Sequence, residues 1–190
     1  MSADSFVRPA RAADAADLAR IQIASWQARY ADLVPRPVLA ELTSAEAARR
    51  WHGQWEAAVT RPPTSRHRVL VAIERGDNRE VVGFTSFGPA TDQELWPATD
   101  AELYELHVQP ELTRRGHGSR LLNALADTVR DDGFHTLCAW ALESNTYLRE
   151  FLESAGWAPD GARRALDMGT PVPEIRLHAA VGLQRPPARG

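Results

Sequence analysis

The chain has 190 residues, 44% hydrophobic and 25% charged, which suits one globular domain whose core needs neither disulfides nor metals. A formal net charge of -3 argues against general nucleic-acid binding, which draws on a basic surface. All 22 Lys+Arg residues are arginine, which excludes a Schiff-base lysine and the lysine of a phosphate-binding P-loop.

The single cysteine, Cys138, rules out an intrachain disulfide and fits a reducing compartment. The N-terminal stretch has no signal-like apolar run, and no segment approaches the roughly 18 apolar residues of a membrane span. A cytoplasmic protein with no membrane partner is expected.

Phe6-Val7-Arg8-Pro9 reads as a first strand ended by proline. Asp14 then serves as N-cap of a helix in which Leu18, Ile21 and Ser25 share a face, running to about Tyr30. Pro35 and Pro37 interrupt the pattern, so a loop is expected there. A second helix covers roughly 44–59, with Trp51 and Trp55 one turn apart.

Residues 67–74 and 80–87 flank the turn-rich Arg75-Gly76-Asp77-Asn78 and read as a hairpin. Another strand is predicted at 103–108, a helix at 116–131 closed by Gly133, and a strand at 135–142. A helix at 145–155 ends at Gly156, and 175–181 reads as a last strand. The order is β-α-α-β-β-β-α-β-α with one or two further strands. This is one mixed α/β domain over residues 1–183, with a disordered tail at 184–190.

The chemistry-bearing stretch is residues 106–125, "LHVQPELTRRGHGSRLLNAL". Pro110 stops a strand, and Gly116 and Gly118 fall at the mouth of the next helix. A helix N-terminus exposes unpaired N–H groups and partial positive charge, and glycines let an anion approach the backbone. Arg114 and Arg115 add planar donors suited to phosphate. Leu121 stands where a third glycine of G-x-G-x-x-G would be, so the dinucleotide fingerprint is incomplete.

Val108-Gln109-Pro110, Arg115-Gly116-His117-Gly118 and Leu121-Leu122 together resemble the acetyl-coenzyme A motif of the GNAT N-acetyltransferases. A second resemblance follows in "ESNTYLREFLESAGW", where Asn145, Phe151, Gly156 and Trp157 fit the family's spacing. The pattern is incomplete at Thr113, where the family carries Gln or Arg, and at Leu152, where it carries a tyrosine.

The resemblance implies a single-domain α/β (α+β) GNAT-like fold. Its mixed sheet would have about 6–7 strands, splayed between the fourth and fifth and flanked by about 4 helices. It implies a cytoplasmic acyltransferase that moves an acetyl group from acetyl-coenzyme A to a primary amine of a small molecule or peptide, by direct attack. Leu106, His107 and Val108 would line the pantetheine arm, and Thr113, Arg114, Arg115, Gly116, His117, Gly118 and Ser119 would hold the diphosphate. Asn145 and Phe151 would complete the coenzyme A site. A homodimer is compatible with it; nucleic acid is not implied.

For the base, Glu102, Glu105, His107 and water all stay open. Strict strand alternation puts Leu103, Glu105 and His107 on one face, and Tyr104, Leu106 and Val108 on the other. Because Leu152 replaces the tyrosine, Tyr147, Ser144 or water is left to protonate the departing thiolate. Trp26, Tyr30 and Trp55 are candidates for an aromatic acceptor pocket, and equally for the helix–sheet core. The acidic stretch around Trp96 reads either as attraction for a cationic amine or as a solvated loop. The histidines show no ligand spacing, so no metal is expected. Two rival readings remain: a non-catalytic acyl-coenzyme A sensor of the same fold, and a regulatory domain that holds NAD or ATP in the glycine loop.

Overall fold

The computed structural model describes residues 5–75 and 79–182. The centre of the predicted 75–78 turn and the tail after Gly182 lie outside the described residues.

Seven strands form one sheet in the order β1-β2-β3-β4-β5-β7-β6. These are β1 Ser5–Pro9, β2 Arg68–Arg75, β3 Arg79–Pro89, β4 Asp100–Val108, β5 Thr136–Leu142, β6 Ala158–Asp167 and β7 Pro171–Ala180. Five helices flank it: α1 Ala15–Arg29, α2 Arg36–Leu42, α3 Ala45–Thr60, α4 His117–Asp131 and α5 Thr146–Ser154. All neighbouring strands are antiparallel except β4 and β5, which run parallel.

Two elements differ from the sequence expectation. The stretch read as loop from its prolines contains α2, because Pro37 falls in the first turn, where a missing N–H costs nothing. Asp14 does not cap α1 with its side chain. Its carboxylate accepts from Arg11 N–H at 2.7 Å and pairs with the Arg8 guanidinium at 2.7 and 2.8 Å. Side-chain caps form instead at α3, where Ser44 accepts from Ala47 N–H, and at α5, where Asn145 accepts from Leu148 N–H, each at 3.1 Å.

The sheet is covered on both faces, as the near-continuous apolar run of β2 requires. Leu70 and Ala72 pack with Leu121, Leu125 and Val129 of α4. The alternate residues Val71 and Ile73 pack with Leu18 and Ile21 of α1 and Trp55 of α3.

Strands β4 and β5 pair only from Asp100↔Thr136 to Leu103↔Ala139. Beyond that point β4 continues to Val108 without β5, while β5 pairs along its whole length with β7. The separation begins at a β-bulge. Ser86 of β3 faces Glu105 and Phe87 faces Leu103, leaving Tyr104 as the extra residue. A bulge bends its strand and resets the alternation.

The expectation that Leu103 shares a face with Glu105 and His107 is therefore corrected. Ala101, Leu103, Leu106 and Val108 all pack toward the α4 side. His107 turns to the α1 side, where its ring lies 5.2 Å from Phe84 and 6.2 Å from Trp26.

Candidate active site

The N-termini of α4 and α5 converge on the opening between β4 and β5. The loop entering α4 is set by two left-handed residues, Arg114 at φ 61° and Gly116 at φ 83°. Such alternation turns successive amides inward as an anion-binding nest. The first in-helix bond of α4 is Arg120 N–H to Gly116 C=O at 3.0 Å, so the first-turn amides have no acceptor within the helix. Thr113 spends its hydroxyl on Pro110 C=O at 3.0 Å, and Arg120 braces the loop through Arg115 C=O at 3.0 Å.

A cavity of about 300 Å³ lies over this loop. Its walls include Arg114, Gly116, His117, Gly118 and Ser119, with Leu106, His107 and Val108 of β4, and Asn145 and Phe151 at α5. A Cβ on Gly118 would meet Phe151 Cζ at 3.0 Å, so glycine keeps the backbone open there. His117 is 1% exposed, and neither ring nitrogen has a hydrogen-bond partner in the protein. Burial lowers its pKa; Glu74 opposes this, while Arg120 and Arg115 reinforce it. Inward amides, an arginine, an imidazole without a hydrogen bond (Nε2 is 3.9 Å from Glu74) and a glycine floor fit a diphosphate.

A second cavity, of about 180 Å³, lies on the other side of the opening. Trp26, Tyr30, Leu39 and Leu42 form one wall, Tyr104 and Glu105 of β4 another, and Trp140, Leu142, Leu166, Met168 and Glu174 the rest. Trp51 secures the first wall by donating its indole N–H to Leu42 C=O at 2.9 Å and packing edge-on against Trp26 at 5.3 Å. Tyr30 and Leu148 line both cavities.

Between the two runs a polar pair. His107 Nε2 lies 2.6 Å from Glu105 Oε2. His107 lines the larger cavity and Glu105 the smaller. The Tyr30 phenol, interacting with the Asn145 side chain, has its pKa pushed up to about 12, first by burial and then by the Glu105 charge.

The sequence model of the Acetyltransferase (GNAT) family matches residues 26–157. The chain belongs to this family. A relative from Bacillus subtilis (strain 168), the uncharacterized N-acetyltransferase YuaI, is 29% identical over 139 residues, spanning 73% of this chain and 72% of that protein. The PaiA N-acetyltransferase of Thermoplasma acidophilum, solved with coenzyme A, is a similar fold at TM-score 0.69 and 16% identity, covering 93% of this chain and 99% of that one. YncA of Salmonella typhimurium, solved with acetyl-CoA, gives TM-score 0.64 and 22% identity over 97% and 99% of the two chains.

This GNAT chain is thus an acyltransferase by family, and its candidate residues divide. Leu106, His107, Val108, Thr113, Arg114, Gly116, His117, Gly118, Ser119, Asn145, Tyr147 and Phe151 are brought together around one cavity, and Trp26, Tyr30 and Glu105 around the other. Three candidates line neither. Arg115 is turned to solvent, 3.8 Å from Glu74. The buried Glu102 accepts from Thr91 N–H at 2.9 Å and Thr91 Oγ1 at 2.8 Å. Trp55 is a core residue, donating its indole N–H to Gln22 Oε1 at 2.8 Å and packing on Phe84.

Leu152, at the tyrosine position, is fully buried in the core. Cys138 is buried, and burial pushes its thiol up to about 12. The acidic stretch near Trp96 is largely engaged: Arg176 holds Asp92 at 2.8 Å and Glu94 at 3.1 Å, and Trp96 N–H donates to Asp100 at 2.7 Å. Sequence reasoning missed Trp140, Leu166, Met168 and Glu174. Trp140 comes from β5, and Leu166, Met168 and Glu174 from β6, β7 and the turn between them, and no motif announces that pairing. Among the described residues no helix is long and apolar enough to cross a membrane.

Proposed function

We propose that this protein transfers the acetyl group of acetyl-coenzyme A to a primary amine by direct attack, without a covalent enzyme intermediate. The observation that carries the proposal is the Glu105–His107 pair, 2.6 Å apart, with one member in each of two adjoining cavities. The larger cavity suits the donor and the smaller the acceptor.

Arg114, His117 and the amides of Gly116, Gly118 and Ser119 would hold the diphosphate. Leu106, His107, Val108, Asn145 and Phe151 would take the pantetheine. When bound, acetyl-coenzyme A supplies an electrophilic thioester carbon and a thiolate leaving group.

The chain's own groups serve the proton traffic. Glu105, assisted by His107, takes a proton from the acceptor ammonium and frees the nitrogen lone pair that forms the new C–N bond. Gln109 N–H donates to Val82 C=O across β3–β4. By strand alternation the amides of Val108 and Leu106 then face the opened edge, where a donor stabilises developing negative charge on an oxygen. As the C–S bond breaks, a phenol gives its proton to sulfur and takes in exchange the second proton of the acylated nitrogen, which leaves a neutral amide and a free thiol. Tyr30 is placed for this, because it borders both cavities. Tyr147 borders only the larger cavity, and the Arg29 guanidinium lies 3.7 Å over its ring.

The test is a thermal melt with coenzyme A, followed by thiol release from acetyl-coenzyme A over an amine panel. Stabilisation by coenzyme A and amine-dependent release are expected. An unchanged melting temperature at millimolar coenzyme A would sink the proposal. Tight binding without release for any amine would favour the sensor reading.

A further inference from the structure

The smaller cavity has a lopsided chemistry. Among the described residues its charged wall residues are Glu105 and Glu174, and no arginine or histidine lines it. Glu174 is already neutralised by Arg164, Nε to Oε2 at 2.6 Å, and the Arg164 guanidinium is stacked 4.2 Å over Trp140. Glu105, whose Oε2 lies 2.6 Å from His107 Nε2, is then the wall carboxylate without an arginine partner. The Tyr104 hydroxyl is engaged, donating to Pro89 C=O at 2.6 Å. The remaining walls are rings and aliphatic side chains: Trp26, Leu39, Leu142, Leu166 and Met168. The volume of about 180 Å³ falls below the roughly 300–1,000 Å³ that encloses drug-sized ligands.

We infer that the acceptor is a small apolar monoamine without a carboxylate, such as an arylalkyl or branched alkyl amine. This rests on the acetyl-transfer reading above and names its second substrate. The ammonium has Glu105 as counter-ion and aromatic faces beside it. An α-carboxylate on the same molecule would sit against like charge, with the adjoining Arg164 already paired to Glu174, and such juxtaposition is costly. Hydroxyl-rich sugars and peptides would bury polar groups against apolar walls without partners.

Matched pairs test the inference: phenethylamine against phenylalanine, and isopentylamine against leucine, with spermidine and kanamycin as bulkier cations. Calorimetry on the coenzyme A-loaded protein reads the cavity, and thiol release from acetyl-coenzyme A reads the transfer. Each uncarboxylated amine should bind about 100-fold more tightly than its amino acid, given the like-charge penalty. Leu39→Arg, or Met168→Arg if that variant does not fold, adds a cation to the wall and should cut this preference at least tenfold.

Equal affinity within a pair, tighter binding of spermidine or kanamycin, or no binding by any amine would overturn the acceptor class. Selective binding with no thiol release would leave the class standing and overturn the transfer reading, so the two failures are distinguishable.

Discussion

Gly118→Ala separates coenzyme A binding from folding, because the added methyl affects the two differently. The Cβ would lie 3.0 Å from Phe151 Cζ and 3.6 Å from its two Cε atoms. An unstrained carbon pair prefers about 3.5–4.0 Å, so the ring must retreat by roughly 0.5 Å. Phe151 is only partly buried and borders the larger cavity, so it has somewhere to go. Overpacking at such a contact costs about 1 kcal/mol. Replacing a helical glycine with alanine returns about 0.4–1 kcal/mol. Net stability should change by less than about 1 kcal/mol, or about 4 °C in Tm for a chain of this size.

The ligand has no such compensation. A methyl over the floor of the nest holds a diphosphate away from one charge-assisted backbone bond, worth about 1.5–3 kcal/mol. That corresponds to a roughly 10- to 150-fold rise in Kd for coenzyme A. Calorimetry gives the Kd and a thermal melt without ligand gives the stability. A Kd within threefold of wild type, with an intact fold, would refute a diphosphate over Gly118. Gly118→Glu, which adds an anion at the same point, should abolish binding.

Glu105→Gln should lower kcat/KM for the amine by about 100-fold, in the range for a lost general base, and flatten the acidic limb of its pH profile; an unchanged profile would hand the proton to His107 or water. Tyr30→Phe should lower kcat roughly tenfold or more with acetyl-coenzyme A, yet recover with an acetyl thioester of an acidic thiophenol, which needs no proton on leaving. Equal losses with both donors would reduce Tyr30 to a positioning role. Arg114→Gly relieves a left-handed arginine, φ 61°, and should stabilise the fold by about 1 kcal/mol in urea unfolding while weakening coenzyme A; destabilisation would mean that Arg114 contributes more to the fold than its conformation costs. Burial pushes the Asp14 carboxyl up, but the Arg8 hydrogen bonds, the Arg11 N–H and both positive charges outweigh it and hold the pKa below the usual value. Its stabilisation is therefore complete above the unfolded pKa of about 3.9 and lost as pH falls through the lower folded value. The urea midpoint of wild type should fall more steeply from pH 5 to pH 2 than that of Asp14→Asn; parallel slopes would show that the pair adds nothing.

The larger cavity, proposed for the donor, was legible because its parts are contiguous in the chain. Strand, proline, arginines, two glycines and helix lie within residues 106–125, and Asn145 and Phe151 follow at fixed spacing. The loop's backbone dictates residue types, since only glycine allows both φ 83° at Gly116 and close approach at Gly118. The smaller cavity, proposed for the acceptor, was not legible. Its walls come from α1, α2, α5, β4, β5, β6 and β7, and long-range pairing assembles them. Tryptophan alone does not say whether it packs or binds. Trp26 borders the small cavity, whereas Trp55, about 30 residues on, is sealed against Phe84 and Gln22. The prolines before α2 misled for a local reason: a proline in the first turn starts a helix as readily as it ends one.

The bulge at Tyr104 was visible in the sequence, although strict alternation overlooked it. Apolar residues recur in β4 at Ala101, Leu103, Leu106 and Val108, and the three-residue step from Leu103 to Leu106 cannot hold one face of a regular strand. Either one leucine leaves the core or the strand gains a residue. The second solution keeps both leucines on the α4 side, and it has a chemical consequence. In a regular strand Glu105 would share the face of Leu103 and meet the apolar packing of Leu121 and Leu125, where an unpaired carboxylate is costly. With Tyr104 as the extra residue, Glu105 instead borders the smaller cavity within 2.6 Å of His107. The same extra residue marks where β4 leaves β5. One insertion in the hydrophobic pattern thus opens the sheet and aims a carboxylate into the opening, so the cleft and its proposed proton acceptor come from a single feature of the strand.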